Sequence, residues 1–235
     1  MFNLIRLEFK KFKLAGLSNG MIIANIILLA LMIFMGVVSK YEGEDMFQNV
    51  TDLVILSQIL IMGTYVVYGS VVLAKLTISE YTNKTMQLMF MYPINRKKLL
   101  VSKVCIVYLF TTINVLISSV FVLTGLSITD HFIDIIPGVV NFVSVMEAVS
   151  VIGASIVMSG FFSILPLYTG MRKKSTAPMI GSSFIVVCLA CSNIGPSMNL
   201  EFYVGKILIL GVVAIIGVAL TMVNALNNLD SLEAE

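Results

Sequence analysis

Few residues of this chain have a type and spacing that could support chemistry. Cys188 and Cys191 form a C-x-x-C pair, a spacing found in redox and zinc sites, but the pair lies in an apolar stretch, where we interpret both as packing residues. The one histidine, His131, follows Asp130 and is interpreted as a solvated loop residue, with pH sensing as the alternative. Glu147 is the one carboxylate near the interior of an apolar stretch, which makes it a candidate for a functional role.

The sequence motifs of hydrolytic enzymes are absent. There is no His-Glu-x-x-His, no pair of aspartates within an apolar stretch, and no serine–lysine or serine–histidine arrangement. There is no G-x-x-x-x-G-K-S/T phosphate loop either, since Gly205-Lys206 lacks the upstream glycine and the hydroxyl residue. We therefore expect a chain that is not an enzyme, binds no metal or cofactor, and does not hydrolyse ATP itself.

Six stretches free of Asp, Glu, Lys and Arg make up most of the 235 residues. Each exceeds the roughly 20 residues that a helix needs to cross a ~30 Å hydrocarbon core, where backbone polar groups must be satisfied within the helix. With 58% hydrophobic and 12% charged residues, the chain is predicted to be an all-α polytopic membrane protein. The charge-free stretches are Ala15–Ser39, Leu53–Ala74, Val104–Thr129, Ala148–Met171, Ser175–Leu200 and Ile207–Leu229. The six predicted transmembrane spans cover about residues 17–39, 53–75, 104–127, 146–169, 176–194 and 204–225.

Lys and Arg residues are distributed unevenly across the predicted membrane. Only Lys40 and Lys206 of the 15 fall on one side, while the acidic residues from Glu42 to Asp52, Asp130, Asp134, Glu147 and Glu201 gather there. Because short loops rich in Lys and Arg stay cytoplasmic, both termini are predicted to be cytoplasmic. The first span is expected to be retained, since it is longer than a signal-peptide core of about 7–15 residues. The cytoplasmic cations are Arg6, Lys10, Lys11, Lys13, Lys75, Lys84, Arg96, Lys97, Lys98, Lys103, Arg172, Lys173 and Lys174.

Two segments outside the spans are predicted to be helical. In residues 1–14, Phe2, Ile5, Phe9 and Phe12 recur at helical spacing beside a cationic face, which predicts a helix lying in the cytoplasmic interface. The alternative is a basic flank that only orients the first span. In the first cytoplasmic loop, residues 79–103, the segment 80–92 is too short and polar to span and ends at Pro93. Because a hairpin needs only a few residues, we interpret this loop as a docking element, and the alternative is a connector along the membrane surface.

Polar side chains also occur inside the spans. Polar groups are costly in lipid, so they are expected to face protein or water. We predict a translocation surface from this pattern, and helix–helix hydrogen bonding is the equal alternative. The residues are Gln58, Thr64, Tyr65 and Tyr68 in the second span, and Thr111, Asn114 and Ser118 in the third. Ser155, Ser159 and Ser163 form a ridge of small residues that predicts close helix packing, and Pro166 predicts a kink after it.

The whole chain resembles the permease subunits of type 2 ABC exporters, and within them the bacitracin, lantibiotic and peptide export branch. The resemblance combines a basic amphipathic start, six spans with both ends inside, and a loop of the form E-x-x-N-x-T…P-x-x-R-K-K…S-K after the second span. Lys84-Thr85 stands where many members have glycine-threonine. The loop residues that carry the resemblance are Glu80, Asn83, Thr85, Pro93, Arg96, Lys97, Lys98, Ser102 and Lys103.

The resemblance implies one ABC transporter transmembrane domain, residues 1–235, in a bacterial plasma membrane. It implies a coupling helix that docks on a separate cytoplasmic ABC ATPase, present in two copies and carrying ATP and Mg, and a second permease chain, identical or related. The implied coupling residues are Glu80, Tyr81, Asn83, Lys84, Thr85, Met86, Met89, Phe90, Arg172 and Lys173. The implied cargo is an amphipathic or antimicrobial peptide, and the other partner is membrane lipid rather than nucleic acid. An ion-coupled secondary transporter and a non-transporting immunity or anchor protein are the two alternatives from other classes.

Two segments are assigned only provisionally from the sequence. Residues 127–145 contain Pro137-Gly138 and are interpreted as a short outer helix or a re-entrant element. Residues 224–235 are polar and acidic at their end and are predicted to be a frayed tail.

Overall fold

The computed structural model of this chain describes residues 14–42, 49–82, 96–133, 142–173, 175–192 and 200–231. Helices occupy nearly all of these residues, and the described part of the chain contains no strand, which confirms the all-α prediction there. The helices are α1 (Leu14–Glu42), α2 (Val50–Thr82), α3 (Arg96–Ile133), α4 (Phe142–Ile164), α5 (Leu167–Lys173), α6 (Thr176–Cys191) and α7 (Leu200–Ser231).

Five helical segments within the described ranges are long and apolar enough to cross a membrane, and they correspond to five of the six predicted spans. They belong to α1, α2, α3, the α4–α5 unit and α7. By contrast, α6 has 16 residues, which give about 24 Å at 1.5 Å per residue, short of a ~30 Å hydrocarbon core. The predicted fifth span is therefore confirmed as an apolar helix, while its crossing of the membrane stays a prediction.

The centre of the bundle is α2, which packs against α3, α4 and α6. In its most apolar stretch 72% of the residues are buried, against 17% in α1 and 22% in α7. The outer helices rest mainly on one neighbour each, α1 on α3 and α7 on α4. Apolar side chains of α1, including Ile22, Ile26 and Phe34, are exposed on the outside of the bundle.

Small residues allow α2, α3 and α4 to approach closely. A Cβ atom at Gly69 of α2 would lie 2.2 Å from Thr111 Cγ2 of α3 and 2.9 Å from Ser163 Cβ of α4. All three serines of the predicted ridge, Ser155, Ser159 and Ser163, are fully buried. Close packing along this face of α4 is thereby confirmed, and it is how transmembrane helices associate without a hydrophobic force between them.

The predicted kink at Pro166 is confirmed. Proline has no N–H to continue the helical ladder, so α4 ends at Ile164 and α5 starts at Leu167. The Tyr168 N–H donates to the Leu165 carbonyl oxygen across this turn, at 3.3 Å. The Thr169 hydroxyl then bonds the Ser182 hydroxyl at 2.7 Å, which ties α5 to α6.

Several helices extend beyond the predicted spans. The predicted frayed tail is wrong for residues 224–231, which continue α7 because helix-favouring residues such as Ala225 and Leu226 prolong it. His131 was predicted in a loop, but its backbone belongs to α3, which continues to Ile133. The helix after the first loop begins at Arg96, ahead of the predicted third span, which starts at about residue 104. The predicted interface helix falls almost wholly on residues 1–13, outside the described residues, as do positions 134–141 of the outer segment.

Candidate functional site

The predicted coupling residues lie only partly within the described structure. The backbone of Glu80 and Tyr81 belongs to the last turn of α2, so this part of the predicted coupling helix continues the second span rather than starting a separate helix. Arg172 is exposed on α5, and Lys173 is the last residue of that helix. The remaining six residues lie outside the described residues: Asn83, Lys84, Thr85, Met86, Met89 and Phe90.

The two helices that flank this loop are joined by a buried lysine. Lys103 is 3% exposed, and its Nζ donates a hydrogen bond to the Leu76 carbonyl oxygen at 2.9 Å. A buried ammonium group is very costly unless it is hydrogen-bonded, so this contact fixes the start of α3 against the end of α2. Ser102 beside it is equally buried. Lys75, one residue before Leu76, is exposed by contrast.

A first polar junction lies in the membrane interior where α1, α2 and α3 meet. Asn25 of α1 accepts hydrogen bonds at Oδ1 from the Tyr65 hydroxyl of α2, at 3.0 Å, and from the Ser118 hydroxyl of α3. Tyr65 is 1% exposed and Ser118 is fully buried. One carboxamide oxygen therefore satisfies hydroxyl groups from two different helices and holds the peripheral helix α1 in register with them.

A second junction lies beside the first on α3. The hydroxyl of Ser119 lies 3.1 Å from Gln58 Oε1 on α2 and 2.7 Å from the Val115 carbonyl oxygen of its own helix. Gln58 and Ser119 are both buried. Adjacent serines on α3 thus contact α1 through Ser118 and α2 through Ser119.

A third junction joins α3 to α4, where the Thr111 and Ser163 hydroxyls are 3.4 Å apart. Two other predicted surface residues bond the backbone of their own helices, and a third packs against an aromatic ring of α3. Thr64 donates to the Leu60 carbonyl oxygen and Asn114 to the Phe110 carbonyl oxygen, within their own helices. Tyr68 stacks on Phe110 with ring centroids 6.2 Å apart.

These contacts favour helix–helix hydrogen bonding over an open cavity lining in the state that the structure describes. Five of the seven predicted residues are buried, namely Gln58, Tyr65, Thr111, Asn114 and Ser118. The sequence prediction missed three of their partners, Asn25, Ser119 and Ser163, as members of the network. Asn25 had a visible signal, since it is a carboxamide within a charge-free stretch.

Three other candidates for chemistry have described side chains, namely Cys188, Cys191 and Glu147. Cys188 and Cys191 are free thiols, and the Cys191 thiol points to the Ile59 carbonyl oxygen at 3.7 Å. Within the described ranges no group of His, Cys, Asp and Glu could hold a metal ion. Glu147 is half-buried on α4. The packing interpretation agrees with this contact for Cys191, whereas Cys188 is exposed.

We expect replacement of Asn25 by Leu to lower the thermal stability of the protein in detergent, because the buried Tyr65 hydroxyl loses its acceptor. A buried unsatisfied hydroxyl costs about 1–3 kcal/mol. Thermal unfolding followed by circular dichroism measures the change. The double variant Asn25→Leu with Tyr65→Phe also removes the Tyr65 hydroxyl and should recover the part of the loss that comes from it, whereas additive losses would contradict the contact.

The comparison with known proteins decides the family. The model of the ABC-2 family transporter protein matches residues 4–189. The chain belongs to the ABC-2 transporter family. The uncharacterized protein YcbO of Bacillus subtilis (strain 168) is 34% identical over 196 residues, which are 81% of this chain and 84% of YcbO. No solved structure shows a significant match.

Family membership makes the chain a multi-pass membrane permease whose partner is an ATPase subunit. The matched region contains the loop between α2 and α3 and all three polar junctions. It also contains the Lys103–Leu76 contact that joins the two helices flanking the loop.

Proposed function

We propose that the chain is the permease subunit of an ATP-driven exporter that moves amphipathic or antimicrobial peptides out of a bacterial cell. The observation that carries this proposal is the match to the ABC-2 transporter family over residues 4–189. The sequence has no phosphate loop, so ATP and Mg would be bound by the separate ATPase and the chain itself would not be catalytic. The bacitracin, lantibiotic and peptide branch is proposed on the loop pattern alone.

Coupling is proposed to run through residues 80–90, with Arg172 and Lys173 in a shorter second contact. The structure supports this by the rigid attachment of the flanking helices, since buried Lys103 holds α3 to α2. A movement of the loop would then be passed to both helices together. From them it would reach α1 through Asn25 and α4 through Ser163.

The complete transporter is proposed to contain two permease chains and two ATPase subunits. One chain with six spans would close half of a transport path. α1 and α7 support such an assembly because both are peripheral and little buried within the chain. Closure of the ATPase dimer on ATP would drive the permease pair to open towards the outside.

The proposed cargo is the one that the resemblance implies, and the neutral character of the spans is compatible with it. The described polar junctions consist of hydroxyl and carboxamide groups, and the membrane interior around them lacks the paired carboxylates that ion-coupled transporters use. A neutral interior suits an amphipathic peptide better than a small ion. The secondary transporter is the second candidate, and an inverted repeat hidden by divergence is the feature that would favour it.

Transport into inside-out vesicles separates these functions. We expect export of a labelled amphipathic peptide that requires both ATP and the partner ATPase. Export that follows a proton or sodium gradient without ATP would indicate a secondary transporter. Absence of transport under both conditions, with normal membrane insertion, would indicate an anchor or immunity protein.

The topology that this function requires is testable by itself. We expect single cysteines at Lys84 and Arg172 to be protected from an impermeant thiol reagent in intact cells, and cysteines at Glu44 and Asp130 to be labelled. The background needs replacement of Cys105, Cys188 and Cys191. Labelling of position 84 from outside would reverse the orientation and remove the basis for coupling. A cysteine at position 195 that is labelled from outside, together with protection of the cysteine at position 172, would show that α6 crosses the membrane.

A further inference from the structure

One buried amide in the bundle is only half satisfied. Gln58 is fully buried on α2, the most buried helix, and within the described residues its Nε2 has no hydrogen-bond partner. Its Oε1 faces the Ser119 hydroxyl at 3.1 Å. Other buried polar side chains nearby are satisfied, Ser57 by the Val54 carbonyl oxygen and Ser118 by Asn25.

Exchanging the Nε2 and Oε1 positions of the Gln58 amide by rotation does not supply the missing hydrogen bond. The Ser119 hydroxyl carries one proton, which can go either to Gln58 Oε1 or to the Val115 carbonyl oxygen. If it goes to Val115, a rotated amide can donate from Nε2 to the Ser119 oxygen. Oε1 then takes the position that faced no partner. In both arrangements one end of the Gln58 amide is buried without a hydrogen bond.

A half-satisfied amide at this depth lowers stability, and an unbranched apolar side chain such as Met would fill the same space without that cost. Sites that keep a polar group at the expense of stability are expected where function needs the group. The group that completes the amide must be neutral, because Gln58 and Ser119 offer no charge to balance an ion in a desolvated place. A group with both a donor and an acceptor satisfies either orientation of the amide.

We propose that Gln58 and Ser119 form a binding site for a neutral amide or hydroxyl group of the transported molecule. The inference rests on the proposed export function and names the part of the cargo that the membrane interior recognises. The site is closed in the state described here, since Gln58 is fully buried. Cargo reaches the site when α2 and α3 separate in the transport cycle. The Gln58 amide then forms with the cargo the hydrogen bond that it lacks in the closed state.

The test is the variant Gln58→Met in the complete transporter, with a neutral amphipathic Leu–Ser peptide as probe. Ser119 keeps its bond to the Val115 carbonyl oxygen, so the variant leaves no new unsatisfied group. We expect Tm without peptide to rise by about 2–4 °C. We expect the peptide concentration for half-maximal stimulation of ATP hydrolysis to rise roughly threefold to tenfold, the loss of one neutral hydrogen bond.

Thr221→Val is the matched control. Thr221 is buried on α7 and its hydroxyl is satisfied by the Val218 carbonyl oxygen of its own helix, so its removal should leave the half-maximal concentration unchanged. An equal loss of affinity in Thr221→Val would assign the effect to general packing and overturn the site.

Two further outcomes would also overturn the site. A higher Tm for Gln58→Met with unchanged peptide response would show that the amide pairs with water or with nothing and not with cargo. A lower Tm would show that the amide is satisfied within the chain. The rise in Tm of the purified permease when peptide is added measures peptide binding without ATP. If this stabilisation depends on Gln58 while the complex shows no ATP-driven transport, the proposed export function is wrong and the proposed binding site is supported.

Discussion

Reversing the charge of Glu80, or replacing Met86 and Phe90 by Ser, is expected to abolish peptide-stimulated ATP hydrolysis and export while the chain reaches the membrane at normal levels. In a small contact a minority of residues carries most of the binding energy, and loss of one such residue costs about 2 kcal/mol or more. Insertion should be unaffected because the spans and their orienting cations are unchanged. Co-purification of the ATPase subunit and its hydrolysis rate measure the two effects separately.

The matched control for this experiment lies in the same predicted helix. Leu88 is two residues from Met86 and falls on the opposite side of a helix with 3.6 residues per turn. Leu88→Ser should leave ATPase binding intact if one face docks on the partner. Full ATP-driven export by the Met86 and Phe90 variant would show that the loop is only a connector between α2 and α3.

The helices could be predicted because the bilayer imposes their length. A charge-free stretch of more than about 20 residues has few alternatives to a spanning helix. Helix ends were less predictable, since an α-helix does not stop where the hydrocarbon core stops. α2 continues through Glu80 to Thr82, and α3 already begins at Arg96, eight residues before its charge-free stretch.

Which helix lies at the centre also had a signal in the sequence. Of the five spanning segments, the one in α2 is the least apolar and the most buried, and the one in α1 is the most apolar and the least buried. In lipid the polar side chains are directed towards protein, so a less apolar span is expected to be surrounded by other helices. The most buried and the least buried of these segments therefore follow from composition, although the neighbours of α2 do not.

The site could be predicted only in part, for a physical reason. Thr64 and Tyr65 are equally polar and adjacent, yet Thr64 bonds the backbone of its own helix and Tyr65 bonds Asn25. Short hydroxyl side chains in a helix readily bond the carbonyl oxygen four residues earlier, whereas the long Tyr65 side chain reaches another helix. Sequence identifies residues that need a partner, and helix packing decides which partner they find.

Replacement of Gly69 by Leu is expected to prevent α2, α3 and α4 from packing, with loss of stably folded protein in detergent. A Cβ atom at this position would lie 2.2 Å from Thr111 Cγ2 and 2.9 Å from Ser163 Cβ. Ser163 Cβ is fixed to the α4 backbone, so the helices must move apart rather than a side chain rotating away. Even Gly69→Ala should cost about 1–3 kcal/mol, the usual range for overpacking.

Gly153→Leu is the control, because a Cβ at that position on α4 would meet no atom of another helix within 4 Å. Its Tm should be unchanged or higher, since glycine is a poorer helix former than leucine. The variant Gly69→Ala with Thr111→Ser provides a second check. Thr111→Ser removes the methyl group nearest to Gly69 and keeps the hydroxyl that faces Ser163, so it should restore part of the stability lost in Gly69→Ala. If Gly69→Leu and Gly153→Leu unfold at the same temperature, α2 does not pack between α3 and α4 at this depth, and the step proposed from α3 to α4 through Thr111 and Ser163 loses its structural support.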